Sequence, residues 1–432
     1  MLNKLDDYPI HQTPEPIAYS ATSDRNVYDR TWFNGYSPDG SYYFGIGMSI
    51  YPHRGVLDCA FSVVEKDKRQ HCFYGSRRAP LERTDMSVGP FRIEVVEPMR
   101  KTRVVLEDNS SGIKCDLMFS TRTVPIQEAR QTLWSGTRRV MDATRFDQFG
   151  RWQGTISHPD GDLLIDDSEC LATKDRSWGV RAVGEPETGG APTAGVGIFF
   201  LWTPLFWDDH ISHAIFFDGP NGEPLVREGL TAPLYRTEAE VPDNGQSLIE
   251  KQLTASHRVE YHPGTRLAAS AEVDLIGHDD SIRTIKMTPI LKFMMKGLGY
   301  THPDWRQGAW QGELEIGHES FDPRQLDPLA AENIHNQQVV KVSDGQREGV
   351  GVMEQIFFGP YKPSGFNGIL DGYQQKGGER KEGARESWKR LKAEQRGVGK
   401  GGSCAGKFRE VGGGEVSVYL CVIPETTNSQ AA

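Results

Sequence analysis

The octet Gly195-Val196-Gly197-Ile198-Phe199-Phe200-Leu201-Trp202 is apolar on both of its alternating faces, which a strand with one wet side does not tolerate. Such a strand belongs inside a larger assembly. It leads into Phe206-Trp207, the polar cluster Asp208-Asp209-His210-Ile211-Ser212-His213, a second apolar run Ala214-Ile215-Phe216-Phe217, and the turn residues Asp218 to Gly222. Strand, polar corner, strand is the signature of a hairpin. Just upstream, Lys174-Asp175-Arg176-Ser177-Trp178-Gly179-Val180-Arg181 sets charges around a tryptophan, and a loop-like stretch from Gly184 to Ala194 separates it from the octet. A few charged groups beside an aromatic wall fit a mostly apolar small-molecule site.

The rest of the chain supplies the same kind of element many times over. Strand-like runs at Tyr42 to Tyr51, Gly55 to Val64, Phe91 to Glu97 and Lys101 to Leu106 are punctuated by turns such as Pro38-Asp39-Gly40 and Asp108-Asn109-Ser110-Ser111-Gly112. Ile113, Cys115, Leu117 and Phe119 alternate with polar neighbours, the period of a strand with one buried face. Leu267 to Ile276, Gly312 to His318 and Gly349 to Phe358 repeat the pattern, and a short helix is expected at Pro328 to Asn336, capped by Asp327. Many short strands at hairpin spacing predict an all-β fold, a sandwich or an up-and-down barrel. At 432 residues the chain exceeds one typical domain. We place the boundary near Gln148, giving β domains at 1–148 and 149–375. From 376 to 432 there are 11 Lys and Arg, 7 Glu and 11 Gly with little to bury, so a disordered tail is expected, or alternatively a basic partner-binding arm.

A net charge of −10 argues against a nucleic-acid or anionic-membrane surface. No run of about 18 apolar residues predicts an inserted helix, and the first twenty residues lack a signal-like apolar core, so a cytoplasmic protein is expected. Cys59, Cys72, Cys115, Cys170, Cys404 and Cys421 show no CxxC pairing and read as reduced thiols, the first four packed in or beside strands. Gly45-Ile46-Gly47 and Gly195-Val196-Gly197 lack the third glycine of a dinucleotide fingerprint, so no nucleotide cofactor is expected.

Gly150-x-Trp152 resembles the G-x-W signature at the first strand of lipocalin barrels. Together with the Asp175-x-x-Trp178-Gly179 string and the closing Phe357-Phe358-Gly359-Pro360-Tyr361 segment, residues 28 to 373 resemble the two-domain lipocalin-like (calycin) family. That family includes carotenoid 1,2-hydratases, kievitone-type hydratases and fungal decalin-forming Diels–Alderases. The resemblance implies two packed lipocalin-like antiparallel domains, barrels or curved sandwiches, and a pocket for an isoprenoid- or polyketide-like molecule. In the hydratases the string looks like Asp-His-Asn-Trp-Gly; here Arg176 occupies the histidine position, and a guanidinium exchanges no protons near neutral pH.

Two chemistries are open to such a chain. A hydratase or cyclase would use Asp175 as a proton donor, kept neutral by an apolar pocket, with Trp178 and Trp202 facing a developing cation. A pericyclase would rely on walls that hold a folded substrate. The expected catalytic group is Asp175, Trp178, Arg176 and Arg181; Trp202, Phe200, Phe217, Trp152 and His53 are the expected substrate contacts. Neither chemistry calls for a metal or cofactor. Against this, Asp175, Arg176 and Arg181 also suit an ion network locking a domain junction. Trp152 reads more readily as core, His53 as a turn histidine, and the Asp208 to His213 cluster as a solvated corner before a metal site. The favoured function is a cofactor-independent lyase or isomerase acting on an apolar small molecule. The alternatives are a non-catalytic lipophilic-ligand carrier and an interaction module with filled barrels.

Overall fold

The computed structural model of the chain describes residues 1–182 and 197–374. The loop from Gly184 to Ala194, the basic tail, Cys404 and Cys421 lie outside the described residues. Within them the fold is all-β, with helix limited to 3-10 turns of three or four residues. No helix is long and apolar enough to cross a membrane.

Two curled antiparallel sheets carry the structure. The first has 14 strands, in the order Leu314–Phe321, Gln70–Arg78, Val56–Glu65, Tyr42–Tyr51, Val27–Tyr36, Leu171–Arg181, Arg138–His158, Lys114–Thr121, Lys101–Leu106, Phe91–Glu97 and Ser87–Val88, with three short strands paired to Arg138–His158. Its far edge comes back against Val56–Glu65 and Gln70–Arg78, so the sheet closes nearly into a barrel. The second has 9 strands, ordered Glu250–Lys251, Pro224–Pro233, His210–Asp218, Ile198–Phe206, Glu348–Phe358, His335–Ser343, Ile282–Met294, Ala268–Ile276 and Thr254–Tyr261.

The octet's hairpin forms as its composition requires, with Phe200 opposite Phe217 and Trp202 opposite Ile215. Its two faces feed two cores. Phe199, Leu201 and Phe216 pack within the second sheet's own curl, where Phe199 stacks between Phe357 at 4.3 Å and Tyr361 at 4.1 Å. Trp202 and Phe206 turn the other way and pack against Trp32, Tyr36 and Tyr43 of the first sheet.

The first sheet is likewise buried on both faces. Phe33, Phe44, Phe61, Phe119 and Trp152 fill the barrel, with Phe33 at 5.5 Å from Phe119 and 5.3 Å from Trp152. Trp152 is fully buried and donates Nε1 to the Asn34 carbonyl oxygen at 2.8 Å. It is a core residue, not a substrate contact, because the lumen it would have lined is packed with aromatic rings. Cys59, Cys72, Cys115 and Cys170 are free and buried.

Three features differ from the sequence expectation. Gln148 is not at a junction: it lies buried in the middle of the 21-residue strand Arg138–His158, and passage to the second sheet comes between Arg181 and Ile198. What reads as a new meander at Gly150 to Gly154 is that strand continuing. Gly154, at φ +141°, would put a Cβ 2.0 Å from the Asp116 carbonyl oxygen, so glycine is required there. The strand Leu314–Phe321, from late in the chain, completes the first sheet by pairing with Gln70–Arg78. The expected helix at Pro328 to Asn336 shrinks to the 3-10 turn Ala331–Asn333: Asp327 caps Leu329 N at 2.9 Å, and the β-patterned residues from His335 onward enter a strand.

Candidate active site

Where the sheets face each other, the register lines polar groups up in rows. Asp147 lies opposite Asp175, and Asp175 opposite Trp32, on three neighbouring strands of the first sheet. In the next row on that face Arg145 opposes Ser177, Ser177 opposes Arg30, and Arg30 opposes Ser49. The second sheet answers with Trp202 opposite Glu354 and Glu354 opposite Gln337. The two tryptophans meet edge to face, ring centres 6.0 Å apart and planes at 84°. Gln337 ties the sheets together: its Oε1 accepts from the Tyr43 hydroxyl, and its Nε2 donates to Glu354 Oε2 at 2.6 Å. His335 Nε2 lies 2.6 Å from the other Glu354 oxygen.

Three carboxyl groups share one guanidinium and one imidazole here. Glu128 has no exposed side-chain surface; its Oε1 accepts from Trp202 Nε1 at 3.0 Å and lies 3.1 Å from His213 Nε2. Arg145 reaches Glu128 at 3.5 Å and Asp175 at 3.4 Å. Burial alone would raise Glu128, but Arg145 and the His213 contact outweigh it and hold its pKa at about 2. Asp147, as deeply buried and 3.6 Å from His213 Nε2, goes the other way: burial, then the charges of Glu128 and Asp175, push it well above the usual carboxylate range. Asp175 is raised too, by burial against the pull of Arg145. Neighbouring carboxyls driven apart in pKa are the arrangement from which acid and base roles arise.

Reach separates the three. The side chains of Glu128 and Asp147 are 0% exposed, whereas Asp175 keeps 15% and Arg145 13%. Asp175 Oδ1, Trp32 Nε1 and His213 Nδ1 have no hydrogen-bond partner among the described residues. Buried polar atoms left this way cost about 1–3 kcal/mol each, so their gathering beside the carboxyls makes the junction the candidate site.

Glu128, Asp147 and His213 bring three donor atoms within 4.8 Å of one another. The Trp202 and Arg145 contacts already engage Glu128, so we read the trio as a hydrogen-bonded proton store and not as a ligand set. The His210 and His213 pair does not form a metal centre. Three positions apart on a strand they point to opposite faces: His210 Nδ1 sits on Asp209 at the exposed corner, at 2.5 Å, while His213 enters the carboxyl cluster.

Of the residues singled out from sequence, the structure brings Asp175 and Trp202 to one site. Arg181 shares the face of Asp175 and lies over the Tyr28 ring at 4.7 Å. Phe200 and Phe217 contact each other at 6.3 Å, Phe200 two residues from Trp202 on its side of the sheet. Arg176 and Trp178 are on the opposite face, because odd steps along a strand change sides. Arg176 pairs with Asp29 at 2.9 Å and Thr31 Oγ1 at 2.8 Å, and Trp178 is 41% exposed, edge-on to Phe146. His53 lies on an exposed turn with its ring nitrogen 2.5 Å from the Thr22 carbonyl oxygen. Sequence reading missed Glu128, Arg145, Asp147 and Trp32. The signal was there for two of them: Arg145 and Asp147 alternate with Ala143 and Phe149 on one side of a strand, an apolar face interrupted by charge.

Among curated proteins none matches the sequence. Solved structures that resemble the chain include kievitone hydratase from Nectria haematococca, at 12% identity and TM-score 0.46, covering 76% of this chain and 88% of that one. CghA in complex with Sch210972 is similar at 10% identity and TM-score 0.43, covering 77% and 89% respectively. A family model matches residues 2–367, which contain every strand of the two sheets, and the chain belongs to that family of unknown function, DUF8625.

Proposed function

We propose that the inter-sheet site binds an apolar isoprenoid- or polyketide-like molecule and acts on it as a cofactor-independent lyase or isomerase, of hydratase or cyclase type. The observation that carries this reading is the reachable Asp175 carboxyl, held toward its neutral form directly beside Asp147. In a hydration, Asp175 gives its proton to an alkene carbon, water adds to the cation so formed, and the water's surplus proton returns to the Asp175 carboxylate. In a cyclisation, the last proton comes off carbon to the same carboxylate. Trp32 and Trp202 supply π-faces to the cation, worth about 0.5–2 kcal/mol. Arg145 and the Glu128–His213 pair fix the charge balance, so that only one proton moves.

Purified chain incubated with a lipophilic metabolite extract, followed by mass spectrometry, tests the proposal. The expected result is a product absent from the no-protein control and absent with a folded Asp175→Asn variant. A compound that is captured but returned unchanged by the wild type would make the protein a carrier, and equal turnover by the variant would remove Asp175 from the chemistry.

A further inference from the structure

Two groups of three potential metal ligands occur among the described residues, and the one around His213 is engaged in the carboxyl cluster. The other, His71, His158 and Asp160, lies at one end of the barrel. His71 pairs opposite Val63 and His158 follows Ile156 by two positions, so both imidazoles share the side of the sheet that fills the barrel. Asp147 and Asp175 belong to the opposite side. Four strands separate Gln70–Arg78 from Arg138–His158 in the sheet order, so the trio joins elements that are not neighbours. The tight turn His158-Pro159-Asp160-Gly161 presents an imidazole and a carboxylate together.

His71 Nε2 lies 2.8 Å from Asp160 Oδ2, and the two imidazole rings stand 5.6 Å apart, centre to centre. His158 Nε2 is 3.2 Å from Glu65 Oε1 yet makes no hydrogen bond among the described residues, although its side chain is 1% exposed. Lys68 is drawn to Glu65 at 2.7 Å. His257 shows the settled alternative for a buried histidine, with Nε2 2.9 Å from Asp218 Oδ2 in a hydrogen bond. A ring nitrogen buried without such a partner, beside a second imidazole and two carboxylates, is a donor atom still to be used.

We infer that His71, His158 and Asp160 bind one divalent transition-metal ion of the zinc type, with Glu65 within reach of the fourth position, and that the ion clasps the end of the barrel. Two imidazoles with a carboxylate suit zinc and its first-row neighbours, whereas calcium and magnesium take oxygen donors. The donor atoms lie within 4.8 Å of one another and must close onto bonds of about 2.0–2.2 Å; Asp160, 31% exposed on its turn, has the freedom to move. Support for His71 is in place, because its Nδ1 lies 2.7 Å from Ser320 Oγ and leaves Nε2 to the metal. For His158 the proton moves to Nδ1, which gives up a long 3.3 Å contact from Asp160 N as that residue turns toward the ion. The site is independent of the small-molecule reading and supplies structure, not chemistry.

Calorimetric titration of the tag-free, chelator-treated full chain with zinc chloride tests it. One zinc per chain is expected, with a Kd of micromolar order or tighter, and zinc at a hundredfold excess over Kd should raise Tm by about 3 °C. Asp160→Ala and His71→Gln should each weaken binding at least about tenfold and remove the Tm rise. No stoichiometric zinc, or binding that both variants retain, would overturn the site. Zinc bound by the wild type without any gain in Tm would overturn the clasp. Should His71→Gln not fold, Asp160→Ala, a change on an exposed turn, decides alone.

Discussion

The strand Val27–Tyr36 presents two buried faces that obey different rules. On one side Phe33 sits in an aromatic plug with Phe44, Phe119 and Trp152, where the polar atom of Trp152 is satisfied. On the other, Tyr28, Arg30, Trp32 and Tyr36 carry polar atoms without hydrogen-bond partners among the described residues, although all four are as deeply buried. Burial does not distinguish the faces; satisfaction of polar groups does. A core that serves only stability is dry and close-packed, whereas the junction between the sheets carries costs that folding does not repay. The barrel is thus the support, and the proposed site lies on its outside.

The comparison breaks first if the plug is not where stability resides. Trp152→Ala removes the largest side chain of the plug and its bond to Asn34, and should destabilise by about 3–5 kcal/mol in urea unfolding. A loss under about 1 kcal/mol would mean that the barrel tolerates a hollow and could itself hold ligand.

The junction offers a sharper test, because two carboxyls on one imidazole should answer oppositely. Glu128 is ionised in the fold at about 2, below its ordinary 4.5, so it contributes stability that is present above about pH 4.5 and disappears as pH falls toward 2. Glu128→Gln breaks the pair with Arg145 and should cost about 3 kcal/mol at neutral pH, a difference that fades in acid. Asp147 has its folded pKa raised from 3.8, so its protonated form favours the fold below that value, and the benefit is lost as pH climbs through the folded pKa. Asp147→Asn should therefore raise Tm relative to wild type, more at neutral pH than near pH 4. Both variants shifting Tm in the same direction at neutral pH would dissolve the proposed proton store.

The architecture was legible because it is written in short-range pattern. The runs at Tyr42 to Tyr51 and Phe91 to Glu97 fall on strands with the same bounds, and Phe199, Leu201 and Trp202 of the two-sided octet divide between two cores as its composition demands. The site was half legible. Asp175 and Trp202 stand out in sequence because charge and indole are rare in apolar runs, but their partners come from register. Asp147 meets Asp175 only because strands 138–158 and 171–181 pair with those residues opposed, and a one-residue slip would send one of them into the barrel. Glu128 is harder still, reaching the cluster from a segment with a two-residue strand and no periodicity to read. The same parity that hid these partners misplaced Arg176 and Trp178: in sequence they neighbour Asp175, but across the sheet they belong to the other side.

That parity argument yields the smallest expected effect and the most direct check on the assignment of faces. Trp178 is 41% exposed and touches Phe146 with ring centres 6.3 Å apart, so Trp178→Ala gives up one partial aromatic contact and should change stability by no more than about 0.5–1 kcal/mol. Ligand affinity and any turnover should be unchanged, since the indole is separated from Asp175 by the sheet itself. Trp202→Phe, in contrast, keeps a ring but removes the Nε1 donor from Glu128, and should alter turnover and its pH profile while leaving the barrel intact. The pair decides between two pictures of the Asp-x-x-Trp string. If Trp178→Ala abolishes turnover with Tm unchanged, the reacting centre lies at the barrel mouth with Arg176; if only Trp202→Phe does so, it lies between the sheets.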